Sequence, residues 1–219
     1  VRHEQSAAHM ADGFGRVSRK PGVCFATSGP GATNILTGLA TAQADSAPMI
    51  AVTGQVPVAM IGKDAFQESD IIGMANPVVK YSFQPRLPGE VPEAVRKGFY
   101  IAETGRPGPV LLDIPKDVQQ NEAPMDFPDE FTIQGYHPWN DPDVASVQKA
   151  VDMLVNSERP IILAGGGTII SSAFAELQSV AETLMIPVVT TFKGKGAFPE
   201  NHPLSLGPIG MHGHAEANK

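Results

Sequence analysis

A single carboxylate near the start of the chain is placed where it could do chemistry. Glu4 opens an alanine-rich segment predicted to be a helix over about residues 4–16, ending around Gly15. A helix start gathers backbone N–H donors and a partial positive charge, so a carboxylate there can be held ionised beside a ligand. Acidic residues are also favoured in the first turn of any helix, so Glu4 alone does not define a site.

A Gly-Pro-Gly turn at residues 29–31 is the second candidate. It follows a short apolar run, residues 23–27, and precedes a predicted helix over residues 32–44. Glycines at such a turn let a ligand approach the backbone closely, although an isolated Gly-Pro-Gly is equally typical of turn formation alone. With the next apolar run, residues 48–53, the spacing is that of a parallel strand–helix–strand unit.

The connection after Gly54 is too long and too mixed for an ordinary turn. Open α/β sheets place their ligands in loops at the carboxyl ends of strands, which makes this segment a third candidate. From residue type alone, its Phe66 and Gln67 are also typical of a loop anchor and a solvated amide.

The elements that must position these residues repeat the same alternation. A nearly continuous apolar run at residues 109–115 indicates a strand buried on both faces, as in a parallel sheet. Proline-rich residues 118–140 are typical of a linker, and strand and helix patterns resume after it. The sequence therefore predicts an α/β protein of two doubly wound parallel-sheet domains, residues 1–117 and 141–219, joined by the linker 118–140.

Composition excludes several classes of protein. With 42% hydrophobic and 18% charged residues in 219, the chain is typical of a globular protein. The net charge of -7, with scattered Lys and Arg, argues against nucleic acid as a partner, and no apolar run is long enough to predict a membrane span. Cys24 is the only cysteine, which fits a reducing compartment such as the cytoplasm. His3 and His9 are six apart, not the four of a helical zinc motif, so we predict no metal site.

Several segments together carry a resemblance that none carries alone. They are residues 1–16 (VRHEQSAAHMADGFGR), 27–34 (TSGPGATN), 54–57 (GQVP), 64–68 (DAFQE), 105–109 (GRPGP), 113–117 (DIPKD) and 210–213 (GMHG). Their order and gaps resemble the large subunits of acetolactate synthase (acetohydroxyacid synthase), a family of thiamine-diphosphate-dependent enzymes, over nearly the whole chain.

The resemblance implies roles for particular residues of the first region. Glu4 would hydrogen-bond the aminopyrimidine ring of thiamine diphosphate and relay a proton, which a glutamine could not do. The other cofactor-binding positions there would be Pro30, Gly31 and Asn34. Gln67 and Lys116 would be catalytic, facing the reacting carbon and the incoming 2-keto acid respectively. Pro57, Ala65 and Phe66 would line the substrate pocket.

The resemblance also implies a flavin. The glycines at residues 165–167 do not meet the G-x-G-x-x-G fingerprint, because Ile170 takes the place of its third glycine. Acetolactate synthases of the anabolic kind nevertheless hold FAD, without redox use, on their middle domain. The matching positions here are Arg106, Gly165, Gly166, Thr191, Phe192, Met211, His212 and Gly213.

The resemblance also implies an activity. The parent enzyme would condense pyruvate-derived hydroxyethyl-thiamine diphosphate with a second 2-keto acid in branched-chain amino-acid biosynthesis. It would be a homodimer or homotetramer, with a possible regulatory small subunit, in the cytoplasm or, in a eukaryote, a plastid or mitochondrion. Mg²⁺ would be bound by residues outside this chain, which we expect to be an interior fragment that is inactive alone. Alternatives are a carboligase of the glyoxylate carboligase or sulfoacetaldehyde acetyltransferase type, and a non-catalytic nucleotide-binding α/β module.

Overall fold

The chain divides into two compact units, Val1–Asn140 and Asp141–Lys219. The computed structural model describes residues 1–124, 126–127, 130–138 and 141–219. Each unit is an α/β structure built on a parallel sheet, which confirms the predicted fold class.

The first unit alternates strands and helices. Its strands are β1 (Gly22–Ala26), β2 (Met49–Gln55), β3 (Tyr81–Phe83) and β4 (Pro109–Pro115). Its helices are α1 (Glu4–Ser18), α2 (Pro30–Asn34), α3 (Leu36–Asp45), α4 (Ile71–Ala75), α5 (Val91–Glu103) and α6 (Lys116–Gln120). Three 3-10 turns, Val58–Met60, Asn76–Val78 and Pro88–Glu90, lie between them.

The four strands form one parallel sheet in the order β1-β2-β4-β3. The central strand β4 is buried along nearly its whole length, as the continuous apolar run at residues 109–115 predicted. One face of the sheet packs with α1 and α3 through a core that includes Leu39 and Met49, and the other packs with α5 through Ile50 and Ile101. Burial on both faces explains why the central strands lack an alternating pattern.

Glycines set the distance between α1 and its neighbours. A Cβ at Gly38 of α3 would lie 2.4 Å from the Ala8 Cβ, and one at Gly15 of α1 would lie 2.3 Å from the Pro48 carbonyl oxygen. The predicted end of α1 at Gly15 was therefore wrong: Gly15 is required by close packing. The helix ends three residues later, at Ser18, where Arg19 adopts a left-handed conformation (φ 59°) and donates its N–H to the Gly15 carbonyl.

Two further observations differ from the sequence prediction, one in a helix and one in the linker. The helix predicted over residues 32–44 is two helices, α2 and α3, joined at Ile35. Part of the predicted linker also packs on the first unit, because Ile133 and Tyr136 lie against the core between α5 and the sheet. Lys80 fixes Tyr136 further, donating hydrogen bonds to its hydroxyl (3.1 Å) and to the Thr104 carbonyl (2.8 Å).

The second unit is smaller. It contains α7 (Val144–Val155), β5 (Ile162–Ala164), α8 (Gly166–Ile170), α9 (Phe174–Leu184), β6 (Val188–Thr190), a 3-10 turn (Phe192–Gly194) and β7 (Ser205–Pro208). The three strands form a parallel sheet in the order β5-β6-β7. Its core includes Ala181, Val188 and Phe198. The predicted glycine turn after β5 is the start of the short helix α8, and β7 was not predicted.

One surface of the first unit is notable for exposed apolar side chains. Among the described residues β1 pairs only with β2, so its other edge is open. Val23 and Phe25 on that strand are 43% and 71% exposed, and Met10 and Phe14 of α1 line the groove beside them.

None of the helices in the described part of the chain is both long and apolar enough to cross a membrane.

Candidate active site

The predicted site residues of the first unit, apart from Arg106, gather at one edge of its sheet. Three chain segments leave the carboxyl ends of strands there: residues 27–34 after β1, residues 56–70 after β2, and Lys116 and Asp117 after β4. We call the second of these, between β2 and α4, the 56–70 loop. Carboxyl ends of parallel strands share one edge, and open α/β sheets bind ligands at that edge.

Glu4 and Asn34 are in direct contact. The Asn34 side-chain amide donates a hydrogen bond of 3.0 Å to Glu4 Oε2. This bond, together with the backbone N–H of Glu4 itself, lowers the pKa of the Glu4 carboxyl group, and burial only partly opposes the shift. His3 caps the same helix, since its Nδ1 accepts from the Gln5 N–H at 3.1 Å. Glu4 is therefore held ionised and in a fixed direction at the first turn of α1.

Gly31 lies beside the other oxygen of that carboxylate. A Cβ at Gly31 would lie 3.5 Å from Glu4 Oε1 and 2.7 Å from the Thr27 methyl carbon. Glycine therefore lets the turn pack against Thr27 and lie beside Oε1 without a clash. The residues present thus fit a heterocycle that offers a nitrogen to Glu4 and lies over the turn at Pro30 and Gly31.

The 56–70 loop reaches the same turn. A Cβ at Gly29 would lie 2.6 Å from the Gln67 carbonyl oxygen, so the two backbones are in contact, and Gly29 has a left-handed φ of 61°. Phe66 is 88% exposed at the tip of the loop, and Gln67 also adopts a positive φ of 58°. Ala65 precedes them, and Pro57 at the loop's start accepts a hydrogen bond from the Met60 N–H at 2.7 Å.

Lys116 is the first residue of α6 and is exposed. Its neighbour Asp117 ties this point to the loop, accepting the Val58 N–H with both carboxylate oxygens at 3.1 and 3.2 Å. Lys116 and the 56–70 loop therefore leave the sheet side by side.

Arg106 has a structural task that its sequence position did not reveal. Its guanidinium donates to the Ser46 hydroxyl at 2.7 Å and to the carbonyls of Gln43 and Ala44 at 3.2 Å each. These carbonyls lie at the end of α3, where helix carbonyls lack partners and a cation is favourable. Its predicted role toward a flavin stays a prediction.

The other predicted flavin positions belong to the second unit and lie at the carboxyl edge of its own sheet. Gly165 and Gly166 follow β5, Thr191 and Phe192 follow β6, and residues 211–213 follow β7. Thr191 fixes its turn by accepting the Gly194 N–H at 3.0 Å. Phe192 and Met211 are 84% and 93% exposed, so this edge offers apolar surface that a flat ring could cover. His212 is exposed, and a Cβ at Gly213 would meet the Pro208 carbonyl oxygen at 2.4 Å.

Sequence reasoning missed the buried polar cluster beneath the 56–70 loop. Asp113 in β4 is fully buried and accepts hydrogen bonds from Thr53 Oγ1 (2.6 Å), Gln55 Nε2 (3.1 Å) and Gln84 Nε2 (2.8 Å). Burial raises the pKa of Asp113, and the three donors oppose that rise. The available signal was a lone acid within an apolar strand, since such an acid needs polar partners from neighbouring strands.

Comparison with known proteins identifies the class of enzyme to which the chain is related. The family profile described as "Thiamine pyrophosphate enzyme, N-terminal TPP binding domain" matches residues 1–74, and the one described as "Thiamine pyrophosphate enzyme, central domain" matches residues 147–219. The chain belongs to the thiamine pyrophosphate enzymes, and the cofactor of that class is thiamine diphosphate.

Individual relatives of the chain identify a smaller group within this class of enzymes. The chain is 55% identical over 221 residues to the probable acetolactate synthase large subunit of Methanocaldococcus jannaschii, covering 100% of this chain and 37% of the relative. It is 50% identical over 225 residues to the acetolactate synthase of Arthrospira platensis (100% and 38%) and 48% identical over 217 residues to the acetolactate synthase large subunit of Corynebacterium glutamicum (99% and 35%). The chain is thus a homologue of acetolactate synthase large subunits and spans a little over a third of their length.

Proposed function

We propose that this chain is part of an acetolactate synthase large subunit. The complete enzyme condenses a two-carbon unit from pyruvate with a second 2-keto acid, in branched-chain amino-acid biosynthesis. The observation that carries the proposal is the Glu4 carboxylate, bound by Asn34 at 3.0 Å and facing the side-chain-free position of Gly31. The identity to acetolactate synthases along the whole chain supports it.

Glu4 acts as the acid–base group of the site. Thiamine diphosphate, when bound, supplies the electron sink for decarboxylation of the 2-keto acid. Glu4 Oε1 would accept a hydrogen bond from a ring nitrogen and exchange a proton with it, while Asn34 holds Oε2 and so fixes the carboxylate's direction. Pro30 and Gly31 would support the ring from one side.

The second substrate meets residues of the 56–70 loop and the end of β4. Lys116 would attract the substrate carboxylate as a compact cation, and Gln67 would face the reacting carbon. Pro57, Ala65 and Phe66 would line the pocket. Phe66 supports this arrangement by its exposure of 88%, because a large apolar side chain that is not used in packing remains available to a ligand.

The remaining parts of the proposal concern cofactors and partners. FAD without a redox role would bind the second unit at Gly165, Gly166, Thr191, Phe192 and residues 211–213. Mg²⁺ would be bound by residues outside this chain. We expect a homodimer or homotetramer located in the cytoplasm, or in a plastid or mitochondrion of a eukaryote. The name "large subunit" of several relatives supports a regulatory small subunit as a partner.

Replacing Glu4 by Gln in the full-length enzyme tests the proposal. Gln keeps the shape and one acceptor but cannot exchange the proton, so acetolactate formation from pyruvate should fall by about 10²–10⁴-fold, the usual weight of an acid–base group. Thiamine diphosphate affinity should remain within a few-fold. The control is Glu93→Gln, which removes a carboxylate paired with Lys97 on α5 and should leave activity unchanged.

Product analysis separates the alternatives. The wild-type full-length enzyme with pyruvate should yield 2-acetolactate, whereas a carboligase of the glyoxylate carboligase or sulfoacetaldehyde acetyltransferase type would not. A non-catalytic nucleotide-binding module would show no turnover and no effect of Glu4→Gln. The 219-residue chain alone should be inactive, and sustained acetolactate production by it would contradict the proposal.

A further inference from the structure

The tip of the 56–70 loop is held in an unusual backbone conformation. Asp64 and Gln67 both have positive φ angles, 54° and 58°, a region that residues with a side chain rarely adopt. Such a conformation persists only where surrounding contacts determine it. Because Phe66 is almost fully exposed, its own packing does not supply those contacts.

Glu68 supplies them at the tip. One oxygen of its carboxylate accepts the Gly62 N–H, and the other accepts the Ala65 N–H at 2.9 Å. The Glu68 N–H in turn donates to the Ala65 carbonyl at 2.9 Å. The backbone bonds from Ala65 and Gly62 lower the pKa of Glu68, as expected for a carboxylate that stabilises a turn in its ionised form. The segment from Gly62 to Glu68 is closed by this one side chain.

Asp113 stabilises the base of the 56–70 loop through Gln55. The Gln55 amide nitrogen donates both to Asp113 Oδ2 at 3.1 Å and to the Ser69 carbonyl at 3.0 Å, while its oxygen accepts the Val56 N–H at 2.9 Å. A buried carboxylate can only accept, so Asp113 dictates which end of the Gln55 amide points inward. That orientation binds the far end of the loop, at Ser69, to the sheet.

We propose that Glu68 and Asp113 are positioning residues for the second 2-keto acid, which rests on the function proposed above. Glu68 acts by closing the segment that presents Phe66 and Gln67 beside Gly29. Asp113 acts by orienting Gln55 so that the end of the loop stays on the sheet. Neither carboxylate touches the substrate, and neither takes part in activating the cofactor at Glu4.

The principal test uses Glu68→Gln in the full-length enzyme, supplied with pyruvate and 2-ketobutyrate together. The variant has the same shape but places an N–H₂ group against one of the two backbone N–H donors, so the closed loop loses one charge-assisted bond. A well-formed apolar pocket distinguishes acceptors that differ by one methylene by about tenfold or more, so opening the loop that presents Phe66 should lower the ratio of 2-aceto-2-hydroxybutyrate to 2-acetolactate by about tenfold. The KM for the acceptor should rise, while thiamine diphosphate affinity should not change.

The product ratio distinguishes positioning from loss of folded enzyme, because it does not depend on how much enzyme is active. Glu93→Gln serves again as the control and should keep the wild-type ratio. Hydrogen exchange at the Gly62 and Ala65 amides should accelerate in Glu68→Gln only. Faster exchange with an unchanged product ratio would overturn the proposal, as would unchanged exchange and an unchanged ratio.

Asp113→Asn tests the base of the loop. The Asn oxygen can take the place of Oδ2 and accept from Gln55 and Gln84 while the new N–H₂ group faces Thr53 Oγ1, but a neutral acceptor binds Gln55, and through it Ser69, more weakly than the carboxylate does. The product ratio should shift in the same direction as in Glu68→Gln. Because Glu68 is near the surface, its variant decides the matter even if Asp113→Asn does not fold. A wild-type enzyme that forms neither product would refute the proposed function itself, whereas an active wild type with an unaltered Glu68→Gln ratio refutes the positioning role alone.

Discussion

The contact between α1 and α3 can be tested by adding a single methyl group. A Cβ at Gly38 would lie 2.4 Å from that of Ala8, whereas ordinary contacts begin near 3.4 Å, so the helices would have to separate by about 1 Å. Overpacking of this kind costs about 1–3 kcal/mol of unfolding free energy. Because Asn34 ends α2 two residues before α3 begins, the separation should also lengthen its 3.0 Å bond to Glu4, at the start of α1.

Gly13→Ala is the matched control for Gly38→Ala. Gly13 lies inside α1, and a Cβ there would meet nothing within 4 Å. Both replacements gain a similar helix propensity, about 0.5–1 kcal/mol relative to glycine, so their difference isolates the steric cost. Gly38→Ala should be less stable than Gly13→Ala by about 1–3 kcal/mol.

Urea unfolding followed by intrinsic fluorescence measures this difference. All three tyrosines of the chain, Tyr81, Tyr100 and Tyr136, lie in the first unit, so their fluorescence reports its unfolding. In the full-length enzyme, Gly38→Ala should also turn over pyruvate more slowly than Gly13→Ala. Equal stability of the two variants would refute the claim that glycine at position 38 sets the spacing of the helices.

Three further predictions concern the core of the first unit, its buried cysteine and Arg106. Leu39→Ala, at a fully buried position, should lower the unfolding free energy by about 2–5 kcal/mol, whereas Leu87→Ala, at a position 62% exposed, should change it by less than about 0.5 kcal/mol; similar losses would contradict the assigned core. Burial raises the pKa of Cys24 to about 11 from 9.0, so the stability contribution of its protonated thiol is full below pH 9.0 and is lost as the pH rises through about 11. Iodoacetamide at pH 8 should therefore label Cys24 far faster in urea than in the native chain, and equal rates would refute its burial. Arg106→Met should lower stability by about 0.5–1 kcal/mol in flavin-free protein through loss of its bonds at the end of α3, and an unchanged urea midpoint would contradict that role.

The order and type of the main elements could be predicted because each follows from a strong pattern. The strand at residues 109–115 is a continuous apolar run, and Val144, Val147 and Val151 repeat at helical spacing in α7. Short elements could not be predicted. Helices α4 and α6 have five residues each, too few for a hydrophobic period to become visible, and they form because neighbouring elements hold them.

The members of the candidate site could be named from their resemblance to a known family, but not from the chemistry of the residue types alone. Glu4, Gly31 and Asn34 were singled out by resemblance, and the structure brings them together through one hydrogen bond and one glycine contact. The roles of Glu68 and Asp113 were not visible in the sequence, because each depends on partners that only folding brings near. Gln55 and Asp113, for instance, are separated by 58 positions in the chain.

The open edge of β1 has a practical consequence for anyone who prepares this stretch of chain by itself. An edge strand with exposed Val23 and Phe25 offers unpaired backbone groups and apolar surface to any other molecule in solution. A second copy carries the same edge, and the two can extend each other's sheet. Copy-to-copy adhesion along this strand should therefore lower the solubility of the isolated piece, and charged substitutions at the strand should raise it.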